Sequence, residues 1–153
     1  GGSLRIYIKK DNKVKIENSI NALLREEKEF GIKNFETYKT FGEKIYKIRD
    51  NVIKNIEKLK KKNKKIIGYG SPAKATTALN FFNITDSINF VVEDNKLKQG
   101  KFIPGVKIPI KNKKIIKDPN NTMLVLAWNF YEEIKKNNNS LSNNFINIKD
   151  LEN

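Results

Sequence analysis

The stretch IIGYGSPAKATTALNFF, Ile66 to Phe82, carries the pattern G-x-G-x-x-A, with Gly68, Gly70 and Ala73 at its three fixed positions. An apolar run precedes it and a helical run follows, the context a phosphate-cradling strand-to-helix turn requires. Small residues let a phosphate approach the backbone, and free N–H groups at a helix mouth favour anions. Ser71 reads as the N-cap and Pro72 as the first helical residue. Lys74, in the first turn, adds a positive charge there or faces water. Glu93 and Asp94 close the next apolar run, INFVVED, about twenty residues on, where dinucleotide-binding folds keep an acid for ribose hydroxyls. A plainer reading also fits: a tight turn whose glycines only permit close packing.

Two other places look built for more than connection. KQGKFIPG holds Gly100, Pro104 and Gly105, which fix an unusual loop path, with Phe102 available as a stacking face. LAWN puts Trp128 and Asn129 past the tip of a wholly apolar run, on the edge expected to carry Gly70 and Asp94. Trp128 is a partly buried core aromatic or a ligand contact. Asn129 is a helix N-cap or reads a base or sugar.

The surrounding elements follow from periodicity. SLRIYIKK alternates Leu4, Ile6 and Ile8 with polar residues, predicting a half-buried strand. Ser19 to Phe30 predicts a helix capped by Gly31. Phe35, Tyr38, Phe41, Ile45, Ile48, Val52, Ile56 and Leu59 recur at steps of three and four, predicting a long core-facing helix, with a coiled-coil or subunit contact as the other reading. Strands are expected at the start of KIIGYG, over Ile88 to Asp94, in TMLVLAW and in NFINI. Helices are expected in PAKATTALNFF, NFYEEIKK and, briefly, Lys113 to Lys117. Strands alternating with helices argue a doubly wound α/β unit, and TMLVLAW is apolar enough to be buried on both faces of a parallel sheet.

Composition narrows the chemistry. The 153 residues include no cysteine and no histidine, which excludes disulfides and thiolate chemistry and argues against a structural zinc. Any general base would be a carboxylate, lysine or tyrosine. No run approaches the ~20 apolar residues that cross a bilayer, so no membrane partner is expected and the cytoplasm is the default compartment. The net charge of +14 invites a nucleic-acid reading. Against it, only Arg5, Arg25 and Arg49 are arginines, the residue preferred for bidentate recognition of phosphate and bases. The lysines instead lie scattered among asparagines and isoleucines, as on solvated faces.

The runs GYGSPAKATTALNFFNI, FVVEDNKLKQGKFIPGVKIPI and LVLAWNFYEEI, in that order, resemble the C-terminal domain of SAM-dependent sugar C-methyltransferases. The likeness extends through nearly the whole chain. Residues 1–10 resemble the strand closing the methyltransferase domain, 11–63 the helical connecting segment, and 64–153 the C-terminal domain. The resemblance implies a Rossmann-like three-layer α/β/α fold with a mostly parallel sheet, preceded by a helical segment. It also implies a role in holding a nucleotide-linked sugar. Gly68, Gly70, Ser71, Pro72, Ala73 and Lys74 would line the diphosphate side. Glu93, Asp94, Lys98, Gly100 and Pro104 would form the neighbouring loop, and Trp128 with Asn129 the third tip.

The family's zinc module, its SAM-binding glycine loop and its catalytic motif have no counterpart in this sequence. The resemblance therefore implies that SAM belongs to the parent enzyme, with no cofactor, metal or catalytic residue in this chain. The expected partners are the sugar nucleotide, an N-terminal methyltransferase domain or separate catalytic chain, and a second copy in a homodimer. A free-standing sugar-nucleotide binding module and a lysine-rich nucleic-acid binder are the alternatives.

Overall fold

The computed structural model describes residues 3–11, 13, 15–62 and 65–153. The expected segment boundary at 63–64 and the first two residues lie outside that set. The chain divides into two compact units, Gly1–Glu43 and Lys44–Asn153.

In the first unit, helix α1 (Asn18–Phe30) ends where Gly31 turns left-handed at φ 78°, its amide bonding back to the carbonyls of Glu27 and Lys28. Helix α2 (Phe35–Lys61) starts in this unit and continues into the second. The alternation from Leu4 to Ile8 does not produce a strand: residues 3–9 are irregular, and Leu4, Ile6, Tyr7 and Ile8 are exposed. A strand exists only through its ladder, and no described strand pairs with this segment. Phe35, Tyr38 and Phe41, expected to face a core, are exposed as well.

The second unit is built on a five-stranded sheet: β1 (Ile66–Tyr69), β2 (Phe90–Val92), β3 (Ile110–Lys111), β4 (Thr122–Val125) and β5 (Asn144–Asn147). The order is β3-β2-β1-β4-β5, and every pairing is parallel. Alternation along β1 and β4 divides the core in two. Ile66 and Leu124 point to the face covered by Val52 and Ile56 of α2 and by Ala75, Leu79 and Phe82 of α3 (Ala73–Phe82). Ile67, Tyr69, Met123 and Val125 point to the other, against Tyr131 and Ile134 of α4 (Tyr131–Asn137). This is the three-layer α/β arrangement expected, with helices on both faces of a parallel sheet.

Gly68 explains part of its own pattern. It lies between Val91 and Leu124 in register, and a Cβ there would come within 2.7 Å of the Val91 side chain and 3.0 Å of Leu126. Its smallness leaves room for the Val91 and Leu126 side chains over the sheet, which is the packing reading of this glycine.

Strand β3 was not apparent from sequence: it begins only at the last residue of KQGKFIPGVKIPI, a glycine- and proline-bearing stretch in which no strand was expected. There Gly100 donates to the Ile110 carbonyl and Ile103 to that of Ile108, folding 100–110 into an irregular hairpin. Ile103 and Ile108 anchor it in the core. Lys113 to Lys117 holds only a short 3-10 turn, Lys113–Ile115.

Candidate functional site

The sheet order reverses between β1 and β4: the chain leaves β1 toward β2 on one side and later returns to β4 on the other. Ligands in open α/β sheets settle in the crevice at such a point, outside the carboxyl ends of the strands. A cleft of about 480 Å³ lies there, within the range of small-molecule sites. Gly70, Ser71 and Pro72 after β1, Glu93 and Asp94 after β2, and Ala127 after β4 line it, together with Lys98, Lys113, Phe130 and the end of α4.

The turn after β1 is not the open cradle that its pattern suggests. The Gly70 amide donates to the Val92 carbonyl at 2.8 Å. The Ser71 amide and hydroxyl both donate to Oε2 of Glu93, at 2.8 and 2.6 Å. Oε1 of Glu93 accepts from the Asn95 amide at 3.1 Å. Lys98 Nζ donates to the Ser71 carbonyl at 2.8 Å and stands 3.7 Å from the Glu93 carboxylate. A backbone carbonyl thus takes the Gly70 amide, and an internal carboxylate occupies the place where a phosphate oxygen would meet the Ser71 amide. Burial pushes the Glu93 carboxyl up, but the Ser71 hydroxyl, the Asn95 and Ser71 amides and the Lys98 ammonium outweigh it and hold the group below its ordinary value.

Ser71 consequently does not cap α3. Pro72 is the N-cap residue, Ala73 begins the helix, and no side chain bonds to the helix mouth. Among the described residues, no hydrogen-bond acceptor meets the amides of Ala73 and Lys74. Gly70, at φ 86°, does need to be glycine: its turn is left-handed, and a Cβ would lie 2.8 Å from that of Ala127.

Asp94 is differently placed. Its side chain is 57% exposed, so it faces the cleft while Glu93 is locked beneath. The Tyr69 hydroxyl donates to Oδ2 at 2.7 Å, and Lys113 Nζ to Oδ1 at 2.8 Å. Lys113 also donates to Asn138 Oδ1 at 2.9 Å and approaches the Tyr69 oxygen at 3.5 Å. Burial pushes the Asp94 carboxyl up, and the Lys113 and Tyr69 hydrogen bonds with the Lys113 charge bring it below its ordinary value. Burial, followed by the hydrogen bond and negative charge of Asp94, drives the Tyr69 hydroxyl above its ordinary value, so it stays a donor.

The sequence-expected residues therefore separate. Gly70, Ser71, Pro72, Glu93, Asp94 and Lys98 meet in the cleft, with Gly68 packed underneath in the sheet. Lys74 lies over the Trp128 ring, its ammonium 4.1 Å from the centroid. Trp128 and Asn129 line a smaller adjoining recess, which shares Phe130 and Glu133 with the cleft. Asn129 sits in a 3-10 turn, Trp128–Phe130, and caps nothing. Neither Gly100 nor Pro104 lines the cleft; the Pro104 carbonyl instead accepts from Asn80 on α3.

Tyr69, Lys113, Phe130 and Asn138 were not anticipated. Strand parity could have found Tyr69, which must point opposite to Gly68 at the end of β1. Lys113 follows a strand that was not recognised, and Asn138 lies buried in a run that reads as low-complexity polar loop. Among the described residues, no group of three or more His, Cys, Asp or Glu could hold a metal ion, and no helix is long and apolar enough to cross a membrane.

Residues 1–147 match the family described as the C-methyltransferase C-terminal domain. The chain belongs to that family. It is 28% identical over 124 residues to the C-methyltransferase NovU of Streptomyces niveus, an alignment covering 80% of this chain and 30% of that protein. The chain thus spans less than a third of the length of the curated relative it matches.

Proposed function

We propose that this domain holds a nucleotide-linked sugar for a SAM-dependent C-methyltransferase whose catalytic residues lie elsewhere. The observation that carries the reading is the exposed Asp94 carboxylate, aimed by Tyr69 and Lys113 in a cleft at the sheet's switch point. A carboxylate has about four acceptor positions, and two are used here, so sugar or ribose hydroxyls can take the others. The free amides of Ala73 and Lys74 at the mouth of α3 offer counter-charge to a diphosphate. Trp128 and Phe130 supply aromatic faces nearby.

In the complete enzyme, an acidic carbon beside a keto group would be deprotonated and the enolate would attack the SAM methyl. This domain's share is orientation, which contributes substantially to rate. Of the two acids at that strand tip, Glu93 is held by Ser71 and Asn95, which leaves Asp94 as the one open to a hydroxyl-bearing ligand. The exposed apolar side chains of the first unit, Leu4, Ile6, Ile8 and Phe35 among them, support its covering by another domain or chain of that enzyme.

A thermal-shift and calorimetric panel of TDP-, UDP-, GDP- and CDP-sugars, SAM and duplex DNA tests the reading. A nucleotide-sugar should stabilise the chain, Asp94→Ala should abolish the effect, and SAM should yield neither binding nor methyl transfer. Salt-sensitive DNA binding without a nucleotide-sugar response would favour the lysine-rich nucleic-acid binder instead.

A further inference from the structure

The cleft is electrostatically unlike the rest of the chain. The whole sequence carries a net +14, yet Glu93, Asp94 and Glu133 line the cleft against only Lys98 and Lys113. Neither lysine is uncommitted: Lys98 binds the Ser71 carbonyl beside Glu93, and Lys113 binds Asp94 and Asn138. Glu93, only 14% exposed, accepts two hydrogen bonds on Oε2 from one residue and a third on Oε1. Both lone pairs of Oε2, the oxygen that faces Ser71, are thereby taken, so it has none left for a ligand.

We infer that Glu93 is the glycine turn's own anion, and that the cleft floor between Ser71 and Asp94 selects the uncharged, hydroxyl-bearing part of the ligand and excludes its phosphates. The inference deepens the proposed function and rests on its reading of the cleft as a ligand site. A diphosphate brought to Gly70 and Ser71 would have to displace a buried carboxylate held by three donors, and would then lie against Asp94 and Glu133. Like charges gathered in one partly desolvated cleft are unfavourable. A ring hydroxyl instead donates to the open positions on Asp94, and exposed Phe130 covers the ring's apolar face. Lys98 acts as a positioning residue. It clamps the Ser71 carbonyl and so keeps the serine's donors on Glu93.

The test follows backbone amide resonances of the chain during separate titrations with inorganic pyrophosphate and TDP-glucose. Pyrophosphate should leave the Gly70 and Ser71 amides unmoved up to about 1 mM, while TDP-glucose moves Asp94 and Phe130. Glu93→Gln should then gain pyrophosphate affinity at Ser71 by about tenfold or more. A pyrophosphate-induced shift of Ser71 in the unmodified chain overturns the inference, whether or not Glu93→Gln folds. Lack of any TDP-glucose response sinks the nucleotide-sugar reading instead, so the two failures are distinguishable.

Discussion

Ser71 and Glu93 form a closed pair: the serine's amide and hydroxyl converge on one carboxylate oxygen at 2.8 and 2.6 Å, tying the end of β1 to the end of β2. Hydrogen bonds to a charged acceptor are worth about 1.5–3 kcal/mol each, more than neutral ones. Ser71→Ala keeps the amide bond and loses the hydroxyl, leaving Glu93 short of one donor. We expect a loss of about 1–2 kcal/mol, read in a thermal melt as a fall of about 2–8 °C for a chain of this size. An unchanged Tm would show that the hydroxyl contributes nothing to closing the turn.

The same pair sets the response to acid. Glu93 and Asp94 have folded values below their ordinary 4.5 and 3.8. Their contribution to stability is therefore complete above those ordinary values and is lost as pH falls through the lower folded ones. Unfolding free energy measured from pH 6 downward should decline across that window. Glu93→Gln should make the decline shallower, since one of the two responsible protons is no longer taken up. A steeper decline in the variant would place the acid sensitivity in other groups.

Much of this arrangement is legible in sequence because local rules and tertiary packing agree. Gly31 ends α1, the glycine turn joins β1 to α3, and the apolar run of β4 is buried on both faces, all as pattern implies. What pattern cannot carry is partnership. Leu4 to Ile8 alternates well but has no described neighbour to pair with. Only two residues of β3 join the ladder, so no alternation distinguishes them from loop. The glycine motif predicts unpaired amides, and only three dimensions reveal that the Gly70 amide meets the Val92 carbonyl and the Ser71 amide a glutamate more than twenty residues later. Lys113, far from Asp94 in sequence, is likewise visible only once β3 is placed.

Gly70 offers a cleaner separation of conformation from contact. At φ 86° it occupies the left-handed region, and a Cβ would meet that of Ala127 at 2.8 Å. Gly70→Ala should cost about 1–2 kcal/mol for the backbone and a further penalty of about 1–3 kcal/mol for the overpacking. Adding Ala127→Gly should recover the second part and leave the first. Chemical denaturation of the single and double variants measures both, and full recovery in the double would show that the backbone carries no strain.

Trp128 is the chain's single tryptophan, so its emission reports on one place. The Lys74 ammonium covers its ring at 4.1 Å, an interaction worth about 0.5–1 kcal/mol at an exposed site. Lys74→Ala should uncover the indole face, shift the emission toward longer wavelength and cost about that much stability. Emission unaltered by the substitution would mean that the lysine does not shield the ring in solution.

Lys113 joins three groups that come from separate elements: Asp94 after β2, Asn138 at the end of α4 and the Tyr69 hydroxyl on β1. Lys113→Met keeps most of the aliphatic stem and removes the charge. Asp94 then loses both a hydrogen bond and the positive charge that hold its carboxyl down, so its titration should move upward toward or past the ordinary 3.8. Tyr69 still donates to Asp94, so the carboxylate should remain oriented even as it becomes easier to protonate. Carboxyl carbon resonances followed through an acid titration read the shift directly. Movement at Asp94 with Glu93 unmoved would confirm two independent carboxylates in one cleft; parallel movement of both would mean that Lys113 acts on the whole cleft rather than on Asp94.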